Sequence, residues 1–186
     1  MPRRRFIFDP PDRFVTGTVG EPGQRTFFLQ ARDGGRVVSV ALEKVQVAVL
    51  ADRLGQLLVE LQQRGIAPDL EDLPSAEDSS PLDEPLNEAF RAGALTLGWD
   101  GEAGRVLVEA RAVSDDGEPL DPDDDDDEDE DGPDLLRVRM TAEAARDFVE
   151  RAVRVIASGR PPCPLCGQPL DATGHICPRR NGHYVN

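Results

Sequence analysis

Three cysteines and both histidines of a 186-residue chain lie in its last 24 residues, CPLCGQPLDATGHICPRRNGHYVN. Thiolate and imidazole are ligands that zinc prefers, and zinc needs four of them converging tetrahedrally at about 2.0–2.3 Å. Cys163 and Cys166 stand at i and i+3 with a glycine after the second, the spacing of a knuckle whose backbone N–H groups wrap a metal-bound thiolate. Cys177 belongs to the other half of such a site. The fourth ligand is either His175 or His183. His175 precedes Cys177 by two residues, so in extended chain both side chains point the same way, whereas His183 needs a turn through RRNG. The spacing therefore favours His175. A tail this short and this rich in Pro and Gly cannot build its own core and needs a metal to fold. A redox dithiol is the rival reading of CxxC, but that motif opens a helix, and here prolines and glycine surround it. Three Cys and one His fill the tetrahedron and leave no place for an activated water, so the expected cofactor is a structural Zn2+.

The elements that must carry this tail alternate in period. RFIF, RFVTGTVG, RTFFLQAR and RVVSVALE read as short strands separated by the turns DPPD, GEPGQ and DGG. Leu50, Leu54, Leu57, Leu58 and Leu61 then fall on one face of a helix, which Gly65 closes with Pro68 beyond. Residues 67–90 read as an acidic, Pro-rich linker with a short helix near Glu84–Phe90. GALTLGWD and GRVLVEARAV read as a hairpin around GEAG, LLRVRM as a further strand, and Thr141 as the N-cap of a second helix running to Ala157. The halves match: GEPGQR corresponds to GEAGR, and one offset of 98 pairs Val40 with Val138, Leu42 with Met140, Leu50 with Phe148 and Leu54 with Ala152. The hairpins align at an offset near 81, and the difference, about seventeen residues, is roughly the size of an acidic insertion. The expected fold is α+β: duplicated β-β-β-α units forming antiparallel sheet with helices on one side, plus a small zinc-ribbon-like tail. The expected organisation is a first repeat over 1–66, the linker over 67–90, a second repeat over 91–159 interrupted by a disordered insertion at 115–134, and the zinc-binding tail over 160–186. On the strand face away from the helices fall Glu109, Arg111, Arg137 and Arg139, which read as an ordinary solvated sheet face or, alternatively, as a basic strip covered by, or competing with, the neighbouring acidic tract.

The net charge of −15 is local. Asp115 to Asp134 holds fourteen acidic residues and no basic one, leaving 22 acidic (36 − 14) against 21 basic elsewhere. The folded part therefore lacks the basic excess of a typical nucleic-acid binder. No apolar run of signal-peptide or bilayer-spanning length appears, so a cytoplasmic protein without membrane contact is expected.

The stretches FDPPDRFVTGTVGEPGQRTFFLQA, VALEKVQVAVLADRL and CPLCGQPLDATGHICPRRNG resemble an uncharacterised actinobacterial family of repeat proteins, a domain of unknown function. The resemblance covers essentially the whole chain apart from the two acidic linkers. It implies an actinobacterial cytoplasmic protein and supports the repeat reading. The family ending, Cys-Pro-x-Cys-Gly…Gly-His-x-Cys-Pro-Arg-x-Asn-Gly, places metal ligands on Cys163, Cys166, His175 and Cys177. It lends no activity.

Three functions compete. No Ser–His–acid pattern, phosphate-cradling glycine loop or HExxH is present, which favours a non-enzymatic protein-interaction or regulatory module whose partner is another protein. The alternative is nucleic-acid binding through the zinc tail with Arg179 and Arg180 and the arm Arg3, Arg4 and Arg5, modulated by the acidic insertion. A carboxylate enzyme using Glu21 and Glu102, which occupy matching turns, is the third.

Overall fold

A computed structural model describes residues 3–113, 132–159, 163–166 and 177 of the chain. Seven strands and two helices follow in the order β1 (Arg5–Phe8), β2 (Arg13–Val19), β3 (Thr26–Asp33), β4 (Arg36–Leu42), α1 (Lys44–Gln63), β5 (Glu88–Asp100), β6 (Arg105–Ala112), β7 (Leu135–Met140) and α2 (Ala142–Ala157). They form one sheet in the order β1-β7-β6-β5-β4-β3-β2. The sheet is mixed, which corrects the all-antiparallel expectation: β4 runs parallel to β5, and β1 parallel to β7. The reason is the crossover. A helix between β4 and β5 carries the chain back to the end from which β4 started, and a strand entered from that end can only be parallel. Nor does Glu84–Phe90 form a helix, because β5 already begins at Glu88.

The sheet cannot be flat. β1 and β2 are its two ends, roughly six strand spacings or about 29 Å apart if the sheet lay open. Only Asp9–Asp12 joins them, and five Cα–Cα steps reach about 18 Å at most. The sheet therefore coils until its ends meet at that corner. Arg36 secures the place, donating to the Ile7 carbonyl at 2.5 Å while its guanidinium lies 4.2 Å from the centre of the Phe8 ring.

Both helices cover the same face. Alternate residues of the strands (Phe27, Leu29, Ala31; Val38, Val40, Leu42; Val106, Val108, Ala110; Leu136, Val138, Met140) join Leu50, Leu54, Leu58 and Leu61 of α1 and Phe148 and Ala152 of α2 in one core. Phe148 stacks on Phe14 of β2 with centroids 4.8 Å apart. Four of the five leucines that mark α1 in the sequence, Leu50, Leu54, Leu58 and Leu61, are thus its buried stripe, and Leu57 is half-buried. Gly65, at φ +69°, ends the helix, and Thr141 caps α2 by accepting from the Ala144 N–H at 3.2 Å.

The two halves follow one course: β2-β3-β4-α1, then β5-β6-β7-α2. Adding 81 to Ile7 gives Glu88, and adding 98 to Ser39 gives Arg137; the sheet pairs Ile7 with Arg137 and Ser39 with Glu88. So the β1/β7 joint is the counterpart of the β4/β5 joint, and β1 with β2 stands where the single long β5 stands. At the counterpart of the Asp9–Asp12 corner, β5 has a bulge at Gly93. A Cβ there would lie 2.9 Å from the Cα of Val113, so only glycine fits.

Residues 66–87, after α1, wrap the free edge of β2. Leu70 enters the core. Arg146 of α2 donates to the carbonyls of Leu70, Leu73 and Pro74, and Arg151 donates to those of Asp78, Ser80 and, on the edge strand itself, Thr16. The chain then crosses onto the second face, where Gln30 receives the Asp83 N–H at 2.7 Å and donates to the Asp83 carbonyl at 3.0 Å. Edge groups that would otherwise recruit a foreign strand are covered.

Candidate metal centre

Arg25, beside the β2–β3 turn, donates to the carbonyl and hydroxyl of Ser158 and so fixes the end of α2, five residues before Cys163. The Cα position of the helix end sets where the following cysteines can reach. Cys163 and Cys177 are buried and Cys166 is half-buried. Their three Sγ atoms lie within 4.8 Å of one another, and Sγ of Cys163 is 4.0 Å from Sγ of Cys177. A disulfide would need about 2.05 Å. Thiolates at two corners of a zinc tetrahedron with bonds of about 2.3 Å stand about 3.8 Å apart. The separations therefore suit a shared metal ion and exclude a bond between these sulfurs in this state.

The backbone N–H of Cys166, followed by that of Leu165, hydrogen-bonds Cys163 and holds its thiol below the ordinary cysteine value; the other two sulfurs act in the same direction. The residues after the first cysteine of CPLCG thus turn back so that their amides face its sulfur. Three nearby cysteines able to hold a metal ion are thus brought together, and among the described residues they are the only such grouping of His, Cys, Asp or Glu side chains. His175 and His183, the two candidates for the fourth ligand, lie outside the described residues, as do Arg179, Arg180 and the acidic insertion up to residue 131.

The remaining candidates fall apart in space. Glu21 and Glu102 are exposed in their hairpin turns. In the basic arm, Arg4 is committed: it donates to the Asp134 carboxylate and to the Ala89 carbonyl, which pins β1 beside β7. Burial pushes the Asp134 carboxyl up, but the bonds and charge of Arg4 outweigh it and hold the group below the ordinary carboxylate range.

The second sheet face departs from expectation. Glu109 and Arg111 are only 4% and 6% exposed, so this is not a solvated surface. Glu109 pairs directly across the ladder with Arg137 and bonds it, and its other oxygen lies 3.7 Å from Arg111. Arg139 faces Asp9 and Asp100 at 3.4 and 3.5 Å. Alternation alone cannot tell a wet face from a covered one. The signal available was that Glu109 and Arg137 carry opposite charges at matching places on adjacent strands.

The comparisons agree with the extent of this architecture. Residues 6–177 match the family model described as "Protein of unknown function (DUF3090)". The chain belongs to that family. The match begins within β1 and ends at the third cysteine, so it covers both helices, the rest of the sheet and the span of the cysteine cluster in this chain. No curated protein and no solved structure matches the chain. No helix among the described residues is long and apolar enough to cross a membrane.

Proposed function

We propose that this member of the family is a non-enzymatic interaction module whose tail is closed by one structural Zn2+ held by Cys163, Cys166, His175 and Cys177. The observation that carries the reading is the convergence of three sulfurs within 4.8 Å, two of them buried. Metal supplies the folding energy of a segment with no core of its own, and a fourth donor completes the shell and leaves no open position for chemistry. His175 is the fourth donor, since it shares a side with Cys177 in extended chain. A zinc-ribbon-like tail on a rigid body offers a partner protein a fixed edge, and a cytoplasmic location would keep the three thiols reduced and available to the metal. The two halves of the body are copies of one β-β-β-α unit. In support, Val40 and Val138, Leu42 and Met140, and Leu54 and Ala152 are buried at equivalent places, and the offsets that relate them carry one parallel joint onto the other.

The test is metal analysis of protein purified under reducing conditions without chelator. One zinc per chain is expected, lost in Cys163→Ser and Cys177→Ser and in His175→Ala, and retained in His183→Ala. Protein that arrives without metal, or that keeps zinc without Cys163 and Cys177, overturns the reading.

A further inference from the structure

The two helices carry apolar side chains on the outside as well as the inside. Val45, Val49 and Val59 of α1 and Val153 of α2 stand between 51% and 66% exposed. Exposed helix positions ordinarily carry straight-chain polar residues, and valine is a poor helix former that gains nothing from water. Four of them on the outer side of a layer whose inner side is core form an apolar face that calls for a cover.

The spacing says what kind of cover. Val45, Val49, Asp52, Gln56, Val59 and Gln63 follow one another at alternating steps of four and three. That is the seam of a coiled coil, and it runs along α1 opposite the buried Val47, Leu54 and Leu58. The seam complements its own reverse. With two copies of α1 antiparallel and their Leu54 residues level, Val49 meets Val59, Asp52 meets Gln56 and Val45 meets Gln63, each pair twice. Gln56 donates one amide hydrogen to Asp52 of its own chain at 2.8 Å, and its second can serve the Asp52 of the other. A polar layer between valine layers fixes the register at some loss of stability.

We propose that the protein pairs with a second copy of itself through this face, α1 lying antiparallel on its counterpart about a twofold axis at the level of Leu54. The same axis carries α2 over its own copy, so that four helices form one layer between two sheets. The valley between α1 and α2 suits this. Its volume is about 830 Å3, and it is lined by Ala48, Gly55 and Val59 on one side and Val149, Val153 and Ile156 on the other. A Cβ at Gly55 would meet no described atom within 4 Å. The two helices present a face about 30 Å long and about 20 Å wide, roughly 600 Å2 in projection. Side-chain relief brings that close to the ~800 Å2 per partner of a stable interface. The pairing uses none of the cysteines and does not rest on the metal reading.

Sedimentation equilibrium of the full chain tests this. Over about a hundredfold range of concentration the mass should rise from the 20.3 kDa of one chain towards twice that value. Val49→Glu alone and Val59→Lys alone should each weaken the pairing about tenfold or more, and so should Val153→Lys on the other helix. The double variant Val49→Glu with Val59→Lys should pair about tenfold more tightly than either single, because opposite charges then meet across the seam. Within one chain the two positions are about 15 Å apart along the helix and cannot supply that contact. All these positions are exposed, so the urea midpoint at the lowest concentration should match that of the unaltered chain, and zinc content should not change. A chain that stays at 20.3 kDa throughout overturns the proposal. So does a dimer indifferent to the single substitutions, or a double variant that pairs no more tightly than the singles.

Discussion

Gly17 and Gly98 stand at equivalent places in β2 and β5 on the face away from the helices. Leu82 lies over the first, its nearest atom 2.7 Å from where a Cβ would be, while nothing described lies within 4 Å of the second. The same contrast runs through the neighbouring strand. Gln30 holds the backbone of Asp83 with both ends of its amide, whereas its counterpart by the offset of 81, Arg111, shares Glu109 with Arg137. One half buries this face under its own connecting chain, the other with charges set against each other. Two stretches with the same order of elements, β2-β3-β4-α1 and β5-β6-β7-α2, thus bury matching positions by different means.

The comparison can be broken at several strengths. The largest effects belong to the core that the halves share. Phe148→Ala should cost about 3–5 kcal/mol and its counterpart Leu50→Ala about 2–5, both in a single urea transition. Two separate transitions would mean that the halves are independent. Next, Glu109→Ala should cost about 3 kcal/mol, because it removes a buried carboxylate that bonds Arg137 and faces Arg111, and Gln30→Ala about 1–3, because it frees neutral partners. A larger loss at Gln30 than at Glu109 would reverse the assignment of charge to one half and connecting chain to the other. The glycine pair comes next. Gly17→Ala should destabilise by about 1–3 kcal/mol, since Leu82 must move, whereas Gly98→Ala should be neutral or stabilise by about 0.5, since a strand glycine is replaced in open space. Equal shifts in melting temperature would remove the contrast.

The smallest expected effect is in pH. Arg13 bonds Asp78 and, with Arg151, holds its carboxyl below the ordinary carboxylate range. A carboxylate whose folded value is lowered contributes stability that is fully present above its unfolded value of about 3.9 and is lost as pH falls below that through the folded value. Acid titration should therefore loosen residues 70–83 before the rest. The stability gap between the native protein and Asp78→Asn should shrink over that range, and a gap independent of pH would place the strap's hold elsewhere.

Much of this was legible in the residues. The leucine stripe of α1, the Thr141 cap, the strands and the cysteine knuckle each rest on local spacing, which the sequence carries directly. Other features rest on contacts between distant residues. Nothing near RFIF says that it pairs with Leu135–Val138, or that Arg4 finds Asp134. The helix anticipated near Glu84–Phe90 gave way because β4 offered Glu88 a ladder, and tertiary pairing outweighs a short polar stretch's own preference. The wet reading of the Arg137 face failed for a similar reason: period 2 shows which residues share a face, not what lies over it. At the cysteine cluster, CPLCG was sufficient to place two sulfurs together, and only the fold could bring Cys177 to them.

The coiling of the sheet has a consequence for synthesis. β1 is made before the other six strands, yet its partner strand is made about 130 positions later. Until then the opening strand lacks the strand it pairs with, and the border of the sheet at β6 is available to other chains. Its exposure lasts as long as translation takes to reach β7, and the corner at Asp9–Asp12 draws the ends together only afterwards.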